Sequence, residues 1–300
     1  MKDIYHIPVM PEQSVKGLAL FPGARVVDAT YGGGGHSRLI LENIGNGILF
    51  AFDQDKASAL NLIDDKRLVF IRHNFRYLKN FLRYYNIGEV DAILADLGVS
   101  SHDFDIPGRG FSFRFDERLD MRMNIDSSID AGYIINNYSG EELNTIFSRY
   151  GEVKNSGRLV AEIVKQRKEK VIKTTGQLRD IALRFTPANL SNKYLAKVFQ
   201  ALRIEVNDEI GALKEFLMSS FDLLRSGGRL VVITYHSLED RLCKNFMRTG
   251  NFEGRVEKDF YGNRRTPFYL INRKVITPEK LELSMNKRAR SAKLRIAEKI

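Results

Sequence analysis

Four consecutive glycines lie between two short apolar runs, and an aspartate ends each run. Asp28 precedes the glycines Gly32–Gly35, and Asp53 follows the second run, Ile48–Phe52. A strand, a glycine turn, a helix and an acidic strand end together form a nucleoside-binding half-fold. The glycines let the backbone approach a ligand at a helix N-terminus, and a carboxylate at Asp53 suits a pair of ribose hydroxyls.

The charge of Asp28 narrows the class of ligand. A carboxylate beside the glycine turn would repel a pyrophosphate, and Ser37 stands where the dinucleotide motif G-x-G-x-x-G/A requires its third small residue. S-adenosylmethionine suits both Asp28 and Asp53, because it carries a sulfonium, an ammonium and a ribose diol. The alternative is a flexible glycine loop in an ordinary α/β protein.

Composition is that of a globular protein with an anionic partner. The length of 300 residues allows about two domains. The formal net charge of +10 attracts polyanions, nucleic acid first among them. A solubilising excess of charge is the alternative.

The single cysteine, Cys243, cannot form an intramolecular disulfide. The five histidines show no zinc-ligand spacing, and we expect no metal. No apolar stretch approaches the roughly 20 residues of a membrane span, and the N-terminus lacks a hydrophobic signal region. We therefore expect a cytoplasmic protein without a membrane partner.

Short apolar runs predict the strands that must position the acidic residues. Runs rich in Val, Ile, Leu and Phe are typical of strands buried on both faces of a parallel sheet. They lie at Ala24–Val27, Ile48–Phe52, Leu68–Ile71, Asp91–Ala95 and Arg229–Thr234, with weaker candidates at Tyr269–Val275 and Ser291–Ala297. The segment between Asp96 and Arg229 is far longer than a βαβ connection of roughly 30 residues, which indicates an inserted domain.

Helix signals fill this insert. Ser139 with Glu142 and Thr174 with Gln177 have the spacing of capping boxes. A further helix is predicted after Asp208, with its apolar face ending near Leu224 and a stop signal at Gly227-Gly228.

Several motifs in fixed order closely resemble the RsmH (MraW) family. They are His6-x-Pro8-Val9, Gly34-Gly35-His36-Ser37, Asp96-Leu97-Gly98-Val99-Ser100-Ser101, Arg109-Gly110-Phe111-Ser112-Phe113, Leu119-Asp120-Met121-Arg122-Met123, Phe199-Gln200-Ala201-Leu202-Arg203-Ile204, Val206-Asn207, His236-Ser237-Leu238-Glu239-Asp240-Arg241 and Arg288-Ala289-Arg290-Ser291. The resemblance runs from residue 6 to the C-terminus.

The resemblance implies an α/β fold, with a class I (Rossmann-like) methyltransferase sheet and an inserted helical domain. We expect the S-adenosylmethionine-dependent domain over 1–104 and 206–300, and a mainly helical substrate-recognition domain over 105–205. The implied reaction is methylation of the exocyclic amine of a cytosine in 16S rRNA, with the small (30S) ribosomal subunit as partner. A homodimer is left open.

The resemblance also implies the cofactor contacts, each at a position that matches a family motif. These residues are Gly34, Gly35, His36, Asp53, Phe75 and Asp96. Independently of the family, Phe75 follows the third strand and can stack on adenine, and Asp96 lies where a cleft opens at the strand ends. The family usually has Ser-Ser-Pro-Gln where this chain has Ser100-Ser101-His102-Asp103. The cofactor contact of the family's glutamine is therefore expected at Asp103.

Asp96 is the predicted catalytic residue, because it can accept hydrogen bonds from the reacting amine. Phe111 or Phe113, beside the basic Arg109, is predicted to stack on the unstacked target base, with a role as loop anchors as the alternative. Arg288 and Arg290 are predicted to contact RNA phosphates.

Two other classes of function are weighed against a methyltransferase. A nicotinamide-dependent oxidoreductase is disfavoured by Asp28, by Ser37 and by the basic surface. A non-enzymatic RNA-binding ribosome-assembly protein would retain the pocket but transfer no methyl group. A DNA amine methyltransferase typically has a Pro-Pro-aromatic turn where this chain has Leu97-Gly98-Val99.

Overall fold

The computed structural model describes residues 8–98, 108–262 and 266–300, except for the side chain of Arg288. Two compact units divide the chain: Met1–Gly98 with Ile210–Ile300, and Val99–Glu209. The predicted domain limits, 1–104 with 206–300 and 105–205, stay a prediction.

A seven-stranded sheet forms the centre of the first unit. Its strands are β1 (Arg25–Asp28), β2 (Ile48–Phe52), β3 (Leu68–Ile71), β4 (Val90–Asp96), β5 (Leu224–Thr234), β6 (Phe268–Leu270) and β7 (Lys293–Lys299). Their order in the sheet is β3-β2-β1-β4-β5-β7-β6. The first five strands are parallel, and β7 runs antiparallel to both β5 and β6.

Both faces of this sheet are buried, as the unbroken apolar runs predicted. In β1, Val26 packs into one core cluster and Val27 into the other, because successive side chains of a strand point to opposite faces. The helices of this unit are α1 (Pro11–Leu18), α2 (Gly35–Asn43), α3 (Leu78–Tyr84), α9 (Glu209–Leu223), α10 (Ser237–Thr249) and α11 (Lys280–Met285).

The α1 and α2 helices cover the face of Val26, whereas α3, α9 and α10 cover the face of Val27. The helices therefore lie on both sides of the sheet, and the predicted fold class is confirmed.

The fifth strand is longer than predicted. Leu224, expected on the preceding helix, pairs instead with Val90, and the pairing of β4 with β5 shifts register before Arg229 pairs with Ala92. The glycines Gly227-Gly228 lie in this irregular part of β5 rather than at a helix end.

Helices predominate in the part of the second unit that the structure describes. They are α4 (Ala131–Asn137), α5 (Gly140–Arg149), α6 (Ser156–Glu169), α7 (Thr175–Leu183) and α8 (Ser191–Asn207). Both predicted capping boxes are present, at the start of α5 and of α7. Apolar faces of these helices enclose one core, whose largest fully buried side chain is Phe147.

Candidate active site

The carboxyl ends of β1, β2 and β4 lie at one edge of the sheet. Asp28, the last residue of β1, pairs with Ala51 on one side and with Leu94 on the other. Asp53 directly follows β2, and Asp96 ends β4. Ligands of open α/β sheets bind outside these carboxyl ends, so the three aspartates lie at the edge where a ligand is expected.

The glycine turn connects this edge to α2. Gly32 and Gly34 have positive φ angles of 53° and 77°, which favour glycine. A Cβ on Gly34 would lie 2.7 Å from the Tyr31 hydroxyl, whereas a Cβ on Gly32 would meet no atom within 4 Å. The turn is thus packed at Gly34 and open beside Gly32.

Asp28 has a different role from the one the sequence indicated. Its side chain is 0% exposed, and it accepts hydrogen bonds from the Ser37 hydroxyl at 2.6 Å and from the Thr30 amide at 3.0 Å. Burial raises its pKa, and these two hydrogen bonds oppose the rise. The expectation that Asp28 faces a cationic ligand is therefore wrong. Its buried carboxylate stabilises the turn by accepting hydrogen bonds from Ser37 and Thr30.

Asp53 is held by three donors at the end of β2. Its Oδ2 accepts from the Gly32 amide at 2.8 Å and from the Ser58 hydroxyl at 2.7 Å, and its Oδ1 accepts from the Asp55 amide at 2.8 Å. Burial raises its pKa, and the three hydrogen bonds oppose the rise. The carboxylate joins the glycine turn to the loop after β2, and Oδ1, which accepts one of the three hydrogen bonds, retains acceptor capacity for a ligand hydroxyl.

Asp96 has a strongly raised pKa. Its side chain is 13% exposed, and burial raises its pKa to about 6, while His36 and a hydrogen bond from Tyr235 act in the opposite direction. The Tyr235 hydroxyl donates to Oδ1 at 2.7 Å. The backbone amide of Asp96 donates to the Thr30 hydroxyl at 2.7 Å, which fixes the end of β4 against the turn after β1.

His36, at the start of α2, faces the second oxygen of Asp96. Its Nε2 lies 3.0 Å from the Val9 carbonyl, which only accepts, so Nε2 carries the proton. Its Nδ1 lies 3.9 Å from Oδ2 of Asp96. This distance is longer than a hydrogen bond, so Oδ2 retains capacity to accept one.

Tyr235 is a site residue that the sequence interpretation missed. It follows β5 directly, and its hydroxyl reaches Asp96 across 139 residues of sequence. The signal was its position, since a polar aromatic residue directly after a central strand belongs to the same edge as Asp53 and Asp96.

Phe75 begins a 3₁₀ turn, Phe75–Tyr77, after β3. It is partly buried, and its ring makes an edge contact with Phe216 at a centroid distance of 5.3 Å. Packing therefore occupies part of the ring, and its stacking on adenine stays a prediction.

The predicted base-stacking residues lie in the second unit. Phe111 is 4% exposed and belongs to the core of that unit. The ring of the partly buried Phe113 makes an edge contact with the ring of Phe199, at a centroid distance of 5.5 Å. The Arg109 guanidinium donates to the Arg122 carbonyl at 3.0 Å and lies over the Phe111 ring. These contacts are those of loop anchors, and the substrate role of the three residues stays a prediction.

Arg290 is exposed in the 3₁₀ turn Lys287–Ser291. Asp103 and the side chain of Arg288 lie outside the described residues. The RNA contacts of both arginines and the cofactor contact of Asp103 stay predictions. No described helix is long and apolar enough to span a bilayer.

The comparison with known families decides the assignment, because the profile of the MraW methylase family matches residues 3–300. The chain belongs to the MraW methylase family. Family membership confirms the resemblance seen in the motifs and the predicted cofactor, S-adenosylmethionine.

Two proteins of known source are close to this chain in sequence. Ribosomal RNA small subunit methyltransferase H of Parabacteroides distasonis is 57% identical over 298 residues, covering 99% of this chain and 98% of that protein. The protein of the same name from Bacteroides fragilis strain YCH46 is 56% identical and covers 98% and 97%. The solved structure of a rRNA methylase from Streptococcus thermophilus has a TM-score of 0.45 and 12% identity, covering 98% of this chain and 99% of that one.

The sheet edge fits the chemistry of the family's cofactor. The space beside Gly32 admits close approach to the backbone, and the Asp53 carboxylate lies next to it as an acceptor for ribose hydroxyls. Asp96 supplies a second carboxyl at the same edge.

Proposed function

We propose that this chain transfers a methyl group from S-adenosylmethionine to the exocyclic amine, N4, of a cytosine in 16S rRNA. The coarser activity, methylation of small-subunit ribosomal RNA, follows from the names of relatives that align over 97–98% of their own length. The amine specificity rests on one observation, the carboxyl of Asp96 at the end of β4 with one oxygen left to accept.

An exocyclic amine of cytosine is a weak nucleophile, because its lone pair is delocalised into the ring. A group that accepts a hydrogen bond from the amine fixes the direction of that lone pair and takes the proton released when the new N–C bond forms. S-adenosylmethionine supplies, when bound, an electrophilic methyl group on a sulfonium. The protein must therefore provide orientation and a base.

Asp96 has the properties of that base. Its pKa of about 6 lies close to neutral pH, where a carboxyl is ionised and still basic enough to take a proton. Its other oxygen is held by Tyr235, so the carboxyl cannot rotate freely.

Asp53 and the glycine turn have the complementary task of holding the cofactor. The hydrogen bonds of Asp53 to Gly32 and to Ser58 orient its carboxylate before a ligand arrives. We assign recognition of the RNA to the segment 105–205, and capture of phosphates to Arg288 and Arg290. The predicted partner is the 30S particle, and light scattering of the free protein would show whether it is a homodimer.

The decisive experiment measures the product. The protein is incubated with labelled S-adenosylmethionine and 30S particles that lack the modification, and the labelled nucleoside is identified by mass spectrometry. We expect N4-methylcytidine from the wild type and none from Asp96→Asn. Label on ribose or on a ring carbon would overturn the amine chemistry, and RNA binding without transfer would indicate a non-enzymatic assembly protein.

A further inference from the structure

The two oxygens of the Asp96 carboxyl have different surroundings. Oδ1 accepts the hydroxyl of Tyr235 at 2.7 Å. Oδ2 faces Nδ1 of His36 at 3.9 Å, which is beyond hydrogen-bond distance. Oδ1 is therefore hydrogen-bonded, whereas Oδ2 is available to accept. The hydroxyl of Tyr235 determines which of the two oxygens is hydrogen-bonded.

Tyr235 is itself fixed on several sides. Its backbone amide donates to Oε2 of Glu239 at 2.9 Å, in the first turn of α10. Its ring lies against Gly98, where a Cβ would come within 3.3 Å of Cδ2. The amide of Leu97 donates to the Ile233 carbonyl at 2.9 Å, so the ends of β4 and β5 stay in register.

The phenol of Tyr235 acts as a hydrogen-bond donor. Burial raises its pKa well above the ordinary value, and the neighbouring carboxyls of Asp96, Glu239 and Glu282 raise it further. A neutral phenol has one proton to donate, and the nearby acceptor is Oδ1 of Asp96.

We infer that Tyr235 is a positioning residue: its hydroxyl occupies Oδ1 of Asp96 and thereby presents Oδ2 to the N–H of the substrate amine. The inference rests on the proposed function, in which Asp96 is the base. As the lone pair of the amine forms the new N–C bond, the S–C bond to the transferred methyl group breaks and its electron pair leaves on the sulfur of the thioether product. The N–H bond then breaks, its electron pair stays on nitrogen and its proton passes to Oδ2. Tyr235 keeps its own proton throughout.

The pH dependence follows from the groups that face Asp96. His36 on α2 and the Tyr235 hydrogen bond lower the pKa of Asp96, whereas burial, Asp28 at the end of β1 and Glu239 on α10 raise it. Removal of the Tyr235 hydroxyl removes one of the two interactions that lower the pKa of Asp96. The pKa of Asp96 must then rise, because a hydrogen bond to the charged form favours that form.

The test is Tyr235→Phe, which removes only the oxygen. Loss of a hydrogen bond to a charged acceptor predicts a fall in kcat of about tenfold to a hundredfold, with KM for the 30S substrate unchanged. The acidic limb of the kcat–pH profile should move to higher pH, since the base keeps its proton longer.

A second readout needs neither substrate nor cofactor. Protein labelled with ¹³C at the aspartate carboxyls is titrated by NMR, and the resonance of Asp96 is assigned by its absence in Asp96→Asn. We expect its midpoint to lie higher in Tyr235→Phe than in the wild type.

Tyr194→Phe is the matched control. Tyr194 is also partly buried, and its hydroxyl donates to Oδ1 of Asn155 at 3.0 Å, in the second unit. This variant loses a phenol hydrogen bond without touching Asp96, so its kcat–pH profile and its carboxyl titration should match the wild type.

The outcomes separate the inference from the proposed function. If the wild type forms N4-methylcytidine while Tyr235→Phe keeps both the wild-type pH profile and the wild-type Asp96 titration, the inference is wrong. If the wild type methylates another atom, the proposed function fails, and the NMR titration still shows whether Tyr235 controls the Asp96 carboxyl.

Discussion

The hydroxyl of Ser37 donates to Oδ2 of Asp28 at 2.6 Å, and both groups are completely buried. Ser37 lies in the first turn of α2 and Asp28 ends β1, so this bond ties the strand to the helix across the glycine turn. A buried carboxylate that loses a donor bears the cost of its desolvation.

Ser37→Ala should therefore lower the free energy of unfolding by about 1 to 3 kcal/mol. The loss of unfolding free energy should be smaller at acidic pH, because burial raises the pKa of Asp28. A protonated carboxyl carries no charge, and the loss of a donor then costs less. Urea unfolding at several pH values measures both effects. Ser148→Ala is the control, since the exposed Ser148 hydroxyl donates to the Thr145 carbonyl on the surface of α5. Equal deficits in the two variants would contradict the role of Ser37.

Asp96→Asn should stabilise the folded protein at alkaline pH while abolishing methylation. The pKa of Asp96 is about 6 in the folded state against an ordinary value of 3.8. Between these values the folded protein keeps a proton that the unfolded chain releases, so stability is lost as pH rises through this window. Two pKa units correspond to about 3 kcal/mol.

Thermal unfolding of the wild type and of Asp96→Asn should thus differ at pH 8 and converge near pH 4. Asp180→Asn serves as the control, because it makes the same substitution at an exposed carboxyl on the surface of α7. An equal effect of Asp96→Asn at both pH values would show that its cause is not the ionisation of Asp96.

Asp53→Ala should weaken the binding of S-adenosylhomocysteine by about tenfold to a hundredfold, because a charged acceptor for the ribose is removed. Ser58→Ala separates this effect from disorder of the loop, since it removes one donor to Oδ2 and keeps the carboxylate. Calorimetry should give a much smaller loss for Ser58→Ala. Wild-type affinity in Asp53→Ala would remove Asp53 from the ribose site.

Phe111→Ala should destabilise the second unit by about 3 to 5 kcal/mol, because it leaves a cavity in a core where Phe111 is 4% exposed. Phe111→Leu keeps most of the volume and should cost much less. Chemical denaturation measures both. A Phe111→Leu variant that is stable but inactive in methylation would instead support the predicted stacking of this ring on the target base.

Arg288→Ala/Arg290→Ala should reduce the slope of log affinity for RNA against log salt by about 0.7 to 0.9 for each phosphate that the variant no longer neutralises. The control is Lys244→Ala/Arg248→Ala, which removes two exposed cations of α10. Filter binding to 16S rRNA fragments over a range of salt gives the slopes. If both double variants reduced the slope equally, the C-terminal cluster would have no special role in binding phosphates.

The strands were the most predictable part of the fold. β2 and β3 begin and end where their apolar runs do, because a strand buried on both faces excludes polar residues. The glycines Gly227-Gly228 misled the interpretation of β5, since glycine both ends helices and permits irregular strand pairing. Lys299 shows the limit of local patterns: its Nζ donates to the Phe221 and Leu224 carbonyls, at the end of α9.

The candidate site was predictable where one motif contains the chemistry. Asp53 and the glycine turn lie within about 20 residues of each other, so their spacing indicated a nucleoside site. The environment of Asp96 was not predictable, because it depends on His36 and Tyr235, which come from distant parts of the chain. Asp28 was misinterpreted for a related reason: its charge was visible in the sequence and its burial was not.

The strand order also determines when the sheet can close during synthesis. Roughly 130 residues separate β4 from β5 along the chain, and a ribosome adds about 5 to 20 residues per second. The outer edge of β4 therefore emerges roughly 6 to 26 s before its neighbour in the sheet exists, and an unpaired strand edge is a site of aggregation. β7, which joins β5 to β6, follows both strands along the chain. A nascent chain that stalls before β7 has been made would leave β5 and β6 without the strand that joins them, so such fragments should be substrates for chaperones and proteases.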